Sequence, residues 1–454
     1  MSTLSTIPFL GHSHHFIGKD PWDVLLKLSK LSNGIFELKM PGTSVLILGN
    51  HHYVSAACKH PGFHKSVGAG LKQVRDYAGD GLFTAYDDEE SWEVAHQILR
   101  PGFGPQVMKK YLSLMWQNAE RAVSKLKETR DWVDVYAQTS SYTLETISLC
   151  GFDYSFGMAE GSSGNDFITA MNDCLAVSLK RAVMPPWFHP LLFLQNRRYE
   201  QSKSSLFQFV DAIIDKRLKD KLDVSAEYSD FLSLMLQNKD RLKGRSLSKG
   251  NIRYQLITFL IAGHETTSSL LSFALYVLSS QPEIKQEVLS EIEILAEEKA
   301  GAEPSMKDIL GLVKLGQLLK ECLRLWSPAP FFGLQAREKL SLNGYPVEKG
   351  KICIVLLSAL HRDQSVWGSE AEMIKLERFN AKNEKVRDED AFKPFGNGKR
   401  ACIGRHFAMT EALVYLYCLL SKTKFRKQDD YRLEVESHLT INPKNFRLQF
   451  SNKV

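Results

Sequence analysis

Leu260-Ile261-Ala262-Gly263-His264-Glu265-Thr266-Thr267 lies at the centre of a helical pattern over residues 250–279. That run is about 30 residues long, against a usual helix of about 12. A helix so long and apolar has to cross a protein interior. At mid-span, however, it carries a glycine, a carboxylate and two hydroxyls, which lower helix propensity and demand partners. A plain core helix has no use for them, so they mark a site or a polar kink whose groups are satisfied. His264-Glu265 begins like the zinc motif H-E-x-x-H, but position 268 is serine, which excludes that reading.

Outward from this helix, residues from about 87 to 325 are almost wholly helical in pattern. The first helix is capped by Asp20, opens on Pro21 and stops at Asn33-Gly34. Strands are expected at 35–40 and 44–48 around a Pro41-Gly42 turn, and a second strand region near Leu334 with an Asn343-Gly344 turn. A helix at about 403–421 and strand-like segments finish the chain. The expectation is a mainly α fold with small β-sheets near its N- and C-terminal regions. Without repeats or linkers, residues 1–454 read as a single domain.

The 454 residues hold 58 Lys+Arg against 52 Asp+Glu, a charge of +6, with 44% hydrophobic and 24% charged residues. That is ordinary globular composition, which excludes disordered and collagenous classes. A pI near 8.7 is too mild to imply nucleic acid. Seven scattered cysteines without a C-x-x-C pair argue for a reducing compartment and against a disulfide framework. No signal peptide is visible, and the longest apolar stretch, near 256–263, is far below the roughly 18 residues of a membrane span. The expected protein is soluble and cytoplasmic.

Phe395-Gly396-Asn397-Gly398-Lys399-Arg400-Ala401-Cys402-Ile403-Gly404 is a glycine-rich loop that delivers a cysteine to a helix start. Backbone N–H groups and the positive helix end stabilise a thiolate there. The glycines let the backbone approach something flat and bulky, and Arg400 could pair with an anionic group on it. A lone cysteine is more commonly a buried structural residue, so Cys402 alone does not decide. The run F-x-x-G-x-R-x-C-x-G, however, resembles the haem-binding loop of the cytochromes P-450. That resemblance implies haem b, iron protoporphyrin IX, with Cys402 as the metal ligand. It also places Phe395 and Gly396 beside the thiolate and Arg400 on a propionate.

Residues 262–267 likewise resemble the family's oxygen-activation motif, A-G-x-[DE]-T-[TS]. Small Ala262 and Gly263 would leave room for O2, the co-substrate, while Glu265 and Thr266 deliver protons. Trp92 and His96, four apart on one helix face, match propionate donors; the alternative is a core tryptophan and a surface histidine. Glu321 and Arg324 match E-x-x-R, and Arg378 would complete a buried cluster, although Leu376 replaces the usual proline. Glu384 and Arg387 share that spacing and read as a solvated loop. His361-Arg362-Asp363 has the letters of a kinase loop, but position 368 is glycine, not asparagine, so that reading fails. His12, His14 and His15 could touch a metal, but a solvated N-terminal loop is the expected reading.

Residues 75–84, 259–268 and 392–398 look like the bacterial fatty-acid hydroxylases whose haem domain is fused to a flavin reductase, and the likeness runs from about residue 7 to about 450. It implies a channel lined by Leu71, Val74, Phe83, Ala262, Ala329, Phe331 and Leu439, with Phe83 steering substrate over the iron. Thr43 and Ile47 stand where those enzymes hold a carboxylate with Arg and Tyr, which removes a charge-assisted anchor. Only 52 residues follow Cys402, so electrons are expected from a separate flavodoxin, ferredoxin or flavin reductase. Lys393, Lys399 and Arg405, with Lys109 and Lys110, would steer it. The function implied is a haem-thiolate monooxygenase that inserts one atom of O2 into a C–H bond of a fatty acid or another lipophilic small molecule. A peroxide-using enzyme, which would lack the acid–alcohol pair, and a non-turnover haem sensor are the alternatives.

Overall fold

Asp20 starts the helix Pro21–Leu31 as the sequence implies: its Oδ1 accepts the Trp22 N–H at 2.8 Å, with proline at the first turn. The computed structural model describes every residue except 1–5, 8–10, 42, 159–163, 184–188, 190–192, 221–229, 242, 438 and 454. The turn residue Gly42 thus lies outside the described residues. Two compact units emerge. One comprises residues 1–68, 314–402 and 432–444; the other comprises 69–313, 403–431 and 445–454.

The first unit is built on a five-stranded mixed sheet, in the order Ile35–Met40, Thr43–Leu48, Ile352–Leu356, Phe331–Ala336, Phe63–Lys65. Ile35 pairs with Leu48 antiparallel, whereas Val45 pairs with Ile352 in a parallel ladder. Alternation sends Leu46 and Leu48 to a cluster with Val54, Leu334 and Val355. Ile47 goes to the opposite face, among Val24, Leu28, Phe36 and Leu356. Ile47 is therefore only 1% exposed and is core, not the open channel mouth the sequence comparison implies. The Asn343-Gly344 turn joins Leu340–Leu342 to Tyr345–Val347, with φ of 46° and 88°. His12 is also not solvated: it is buried, and its Nδ1 accepts the Lys39 N–H at 2.9 Å.

The second unit is helical around Lys249–Ser280, a 32-residue helix with most of its side chains buried. Val135–Phe152 packs along it. Hydroxyls join the two: Thr143 Oγ1 donates to the His264 carbonyl at 2.9 Å, and Thr139 Oγ1 lies 3.2 Å from Ser272 Oγ. A small sheet of Val133–Asp134, Arg447–Asn452 and Thr423–Lys427 closes this unit. The helix expected at 403–421 runs Arg405–Lys422. Among the described residues, no helix is long and apolar enough to cross a membrane.

Asp20 also accepts the Ser437 N–H and the Ser437 hydroxyl, both at 2.7 Å. Asp20→Ala is expected to lower unfolding free energy by about 1–3 kcal/mol, with Asp20→Asn recovering part, in urea unfolding followed by circular dichroism.

Candidate functional site

In the first unit, the segment that precedes the Cys402 loop is organised around one buried guanidinium. Arg324 and Glu321, at i and i+3 on Val313–Leu325, have no exposed side-chain surface. Arg324 has five N–H donors and uses each. Nε and Nη2 donate to the two Glu321 oxygens at 2.7 and 2.9 Å. Nη1 donates to the carbonyls of His361 and Ala371 at 2.9 and 2.6 Å, and Nη2 to that of Met373 at 2.8 Å. Arg378 joins through Nη1 to Glu321 Oε2 at 3.2 Å. The segment Leu376–Phe379 is a 3-10 turn, so leucine serves where proline is usual. Arg387 is not on a solvated loop: its guanidinium lies over the rings of Trp367 and Phe379, 4.4 and 4.7 Å from their centroids.

This cluster abuts the loop carrying Cys402. Gly396 N–H donates to Lys393 O at 3.0 Å and Cys402 N–H to Phe395 O at 2.8 Å, so Phe395, Gly396, Arg400 and Cys402 share one closed loop. Gly396 has φ of 78°, a conformation that favours a residue without Cβ. Of the seven cysteines only Cys402 is exposed; Cys58 is intermediate and the rest are buried. The loop thus presents one thiol on a largely bare backbone, which fits a large planar group held through sulfur. Lys393 is not part of an open basic face, because its ammonium pairs with buried Asp390 at 2.7 Å and donates to Asn397 at 3.0 Å. Lys399 remains exposed.

In the second unit, Ala262, Glu265 and Thr266 share the long helix. Ala262 is exposed, although Leu260, Ile261, His264 and Glu265 around it are buried. An exposed alanine in the middle of an interior helix leaves a shallow surface that a flat group can cover. Gly263 has a different reason to be small from the expected room for O2. A Cβ there would stand 2.7 Å from Ile147 Cγ1, so the glycine lets Val135–Phe152 approach. Thr266 Oγ1 donates to Ala262 O at 2.8 Å, which leaves its oxygen lone pairs as acceptors. Burial raises the Glu265 carboxyl to about 7, so it can hold and release a proton near neutrality. His264 is lowered to about 4 by burial; neutral, its Nδ1–H donates to Leu260 O at 2.5 Å. Among the described residues, no group of three or more His, Cys, Asp or Glu could hold a metal ion.

Phe83, 39% exposed, stands on the loop at 79–84. Its neighbours are clamped, a feature with no signal in the sequence. Leu82 N–H donates to Gln255 Oε1 at 2.9 Å, and Arg75 donates to Thr84 O at 2.9 Å while gripping Glu89. Trp92 and His96 stack on Glu90–Leu99 with centroids 4.9 Å apart at 18°. Of the suggested channel residues, Val74 is buried at 4% exposure, whereas Phe331 is 49% exposed.

An exposed cysteine on a glycine loop, and an acid–alcohol pair on a long helix, are the equipment of a haem-thiolate oxygenase. The sequence model of the cytochrome P450 family matches residues 1–450, and the chain belongs to that family, whose members bind haem and use O2. It is similar to bifunctional cytochrome P450/NADPH–P450 reductase 2 of Bacillus subtilis (strain 168), 37% identical over 417 residues, 91% of this chain and 39% of that protein. A bifunctional cytochrome P450/NADPH–P450 reductase of Bacillus cereus is 36% identical over 438 residues, 95% of this chain and 40% of that protein. One from Fusarium oxysporum is 35% identical over 448 residues, 97% and 41%. The chain spans about two fifths of the length of these relatives.

Two outcomes test the helix site. Gly263→Ala is expected to lose stability although alanine is the better helix former by about 1 kcal/mol. In an Ile147→Ala background, which removes the clashing Cγ1, the same substitution is expected to gain stability, a coupling readable in a double-mutant cycle. Because Glu265 titrates near 7 when folded against the usual 4.5, the folded chain binds more protons between those values, and stability falls as pH rises through that window. Glu265→Gln should flatten that fall in unfolding experiments spanning it.

Proposed function

We propose that residues 1–454 act as one haem-thiolate monooxygenase domain that hydroxylates a C–H bond of an apolar substrate, a fatty acid or another lipophilic small molecule. The observation that carries this reading is Cys402, the one exposed cysteine, on its closed glycine loop. Haem b bound through sulfur supplies O2 activation and the transfer of one oxygen atom. Cys402 holds it as thiolate, Phe395 and Gly396 keep the loop backbone close, and Arg400, Trp92 and His96 bind its propionates. Glu265, raised to about 7 by burial and so partly protonated near neutrality, would release a proton, and Thr266 would accept and pass it on through its oxygen. The pair supports an O2-using enzyme over a peroxide-using one or a sensor. Ala262 leaves the helix surface open, and Phe83, on its clamped loop, orients substrate.

We infer a flavin reductase, flavodoxin or ferredoxin as electron donor; the reductase in the relatives' names supports the first. Lys399 and Arg405, both exposed, would contribute positive charge toward an acidic partner.

The reduced CO adduct is expected to show the red-shifted Soret band of thiolate ligation, and Cys402→Ser to abolish it; an unchanged spectrum in that variant would remove the assignment. Thr266→Ala should keep haem and substrate but send reducing equivalents into peroxide, with product formation down by roughly 10²–10⁴-fold. At the hairpin, Thr43 is exposed and Ile47 is core, so only the first can be rebuilt without repacking. Thr43→Arg should tighten a long-chain fatty acid about tenfold in spectral titration.

A further inference from the structure

His361 belongs to a triplet that the sequence analysis sets aside once a kinase is excluded, and the monooxygenase chemistry above gives it nothing to do. Its surroundings are specific. The ring has no exposed surface and packs against Phe392 and Trp367, with centroids 5.3 and 6.5 Å away. Nε2 lies 3.0 Å from the Lys393 backbone nitrogen, which can only donate. Nε2 is therefore the acceptor, and in the neutral ring the proton sits on Nδ1. Nδ1 faces Arg324 O at 3.2 Å and Ser327 Oγ at 3.3 Å. Ser327 has already given its own proton to Leu323 O at 2.6 Å, so its oxygen can accept. The His361 carbonyl meanwhile accepts from Arg324 Nη1 at 2.9 Å. One residue thus touches Arg324 at both its side chain and its backbone, and with the far ring nitrogen it touches the cysteine loop.

Lys393 is where that loop begins to be held. Its carbonyl closes the turn to Gly396, and its ammonium is pinned by Asp390 and Asn397. Asn397 in turn donates to Cys58 O at 3.1 Å, and Phe395 O receives the Cys402 N–H. We propose that His361 is a positioning residue for Cys402, tying the base of the cysteine loop to the Glu321–Arg324 pair by accepting the Lys393 N–H. The proposal rests on Cys402 as the haem ligand. Burial, with Arg324 adjacent, lowers His361 to about 3, which keeps the ring a neutral acceptor. A ring of similar size without an acceptor would keep the packing but strand a part-buried N–H at the foot of the loop, and the loop would relax away from the geometry that presents sulfur as thiolate.

The test compares His361→Phe, which keeps an aromatic ring, with His361→Gln, whose amide oxygen can accept. In His361→Phe the Lys393 amide should exchange hydrogen about tenfold faster in the haem-free chain. Amides of Lys249–Ser280 should keep their rates. In the haem-loaded protein, part of the reduced CO adduct should move to the Soret position of a neutral thiol ligand, and His361→Gln should restore both signals toward wild type. Wild-type exchange at Lys393 and a wild-type CO spectrum in His361→Phe would overturn the proposal, as would equal acceleration in both units, which would mean general loosening. Should His361→Phe fail to fold, the decision rests on His361→Gln and His361→Leu: a Lys393 amide equally protected in both also overturns it. Failure of the underlying assignment reads differently, because Cys402→Ser would then keep the thiolate spectrum whatever stands at 361.

Discussion

A guanidinium with no exposed surface must place five N–H bonds without help from water, and Arg324 does so with two carboxylate oxygens and three carbonyls. Those carbonyls come from two places in the chain, His361 and the turn holding Ala371 and Met373, so meeting the charge ties the segments before the cysteine loop together. The arrangement is intolerant in a particular way. Removing one partner of a buried pair leaves the other uncompensated and costs about 3–5 kcal/mol, whereas the intact pair adds little net stability. Its value lies in directionality: carbonyls that must face one point leave the backbone few alternatives. Arg387 extends the same logic by lying over Trp367 and Phe379.

The second unit solves a related problem with neutral groups. A long apolar helix interrupted by Gly263, His264, Glu265 and Thr266 loses helix propensity at mid-span. Val135–Phe152 compensates, because Ile147 fills the space beside Gly263 and Thr143 donates to the His264 carbonyl. The same burial that costs stability raises Glu265 to about 7 and makes a carboxyl useful for proton transfer near neutrality. The raised carboxyl and the loss of stability here share one cause, desolvation. The neighbouring helix bears the cost.

Much of this was legible in the sequence wherever the deciding partner lies within a few residues. Asp20 and Pro21 announce a helix start, Asn343-Gly344 a tight turn, Glu321 and Arg324 a shared helix face, and the spacing from Phe395 to Cys402 a loop around a cysteine. The stacked rings of Trp92 and His96 also follow from their i, i+4 spacing. These features depend on local backbone geometry, and residue type reports that directly.

The sequence by itself determined the helical class, the long interior helix, the family and the residues of its motifs. Only the tertiary structure decided which way those residues' neighbours face and what they bind. Ile47 is core because alternation along its strand meets a sheet covered on both sides. Lys393 leaves the basic surface because Asp390 is buried beside it. His361 acquires an acceptor's role from an N–H 32 positions away, and Gly263 is small because of Ile147 on another helix. In each case the side chain's character is plain from the sequence, but its partner is set by folding. A hydrogen bond or contact depends on ångström distances, and beyond a few residues sequence separation carries no information about them.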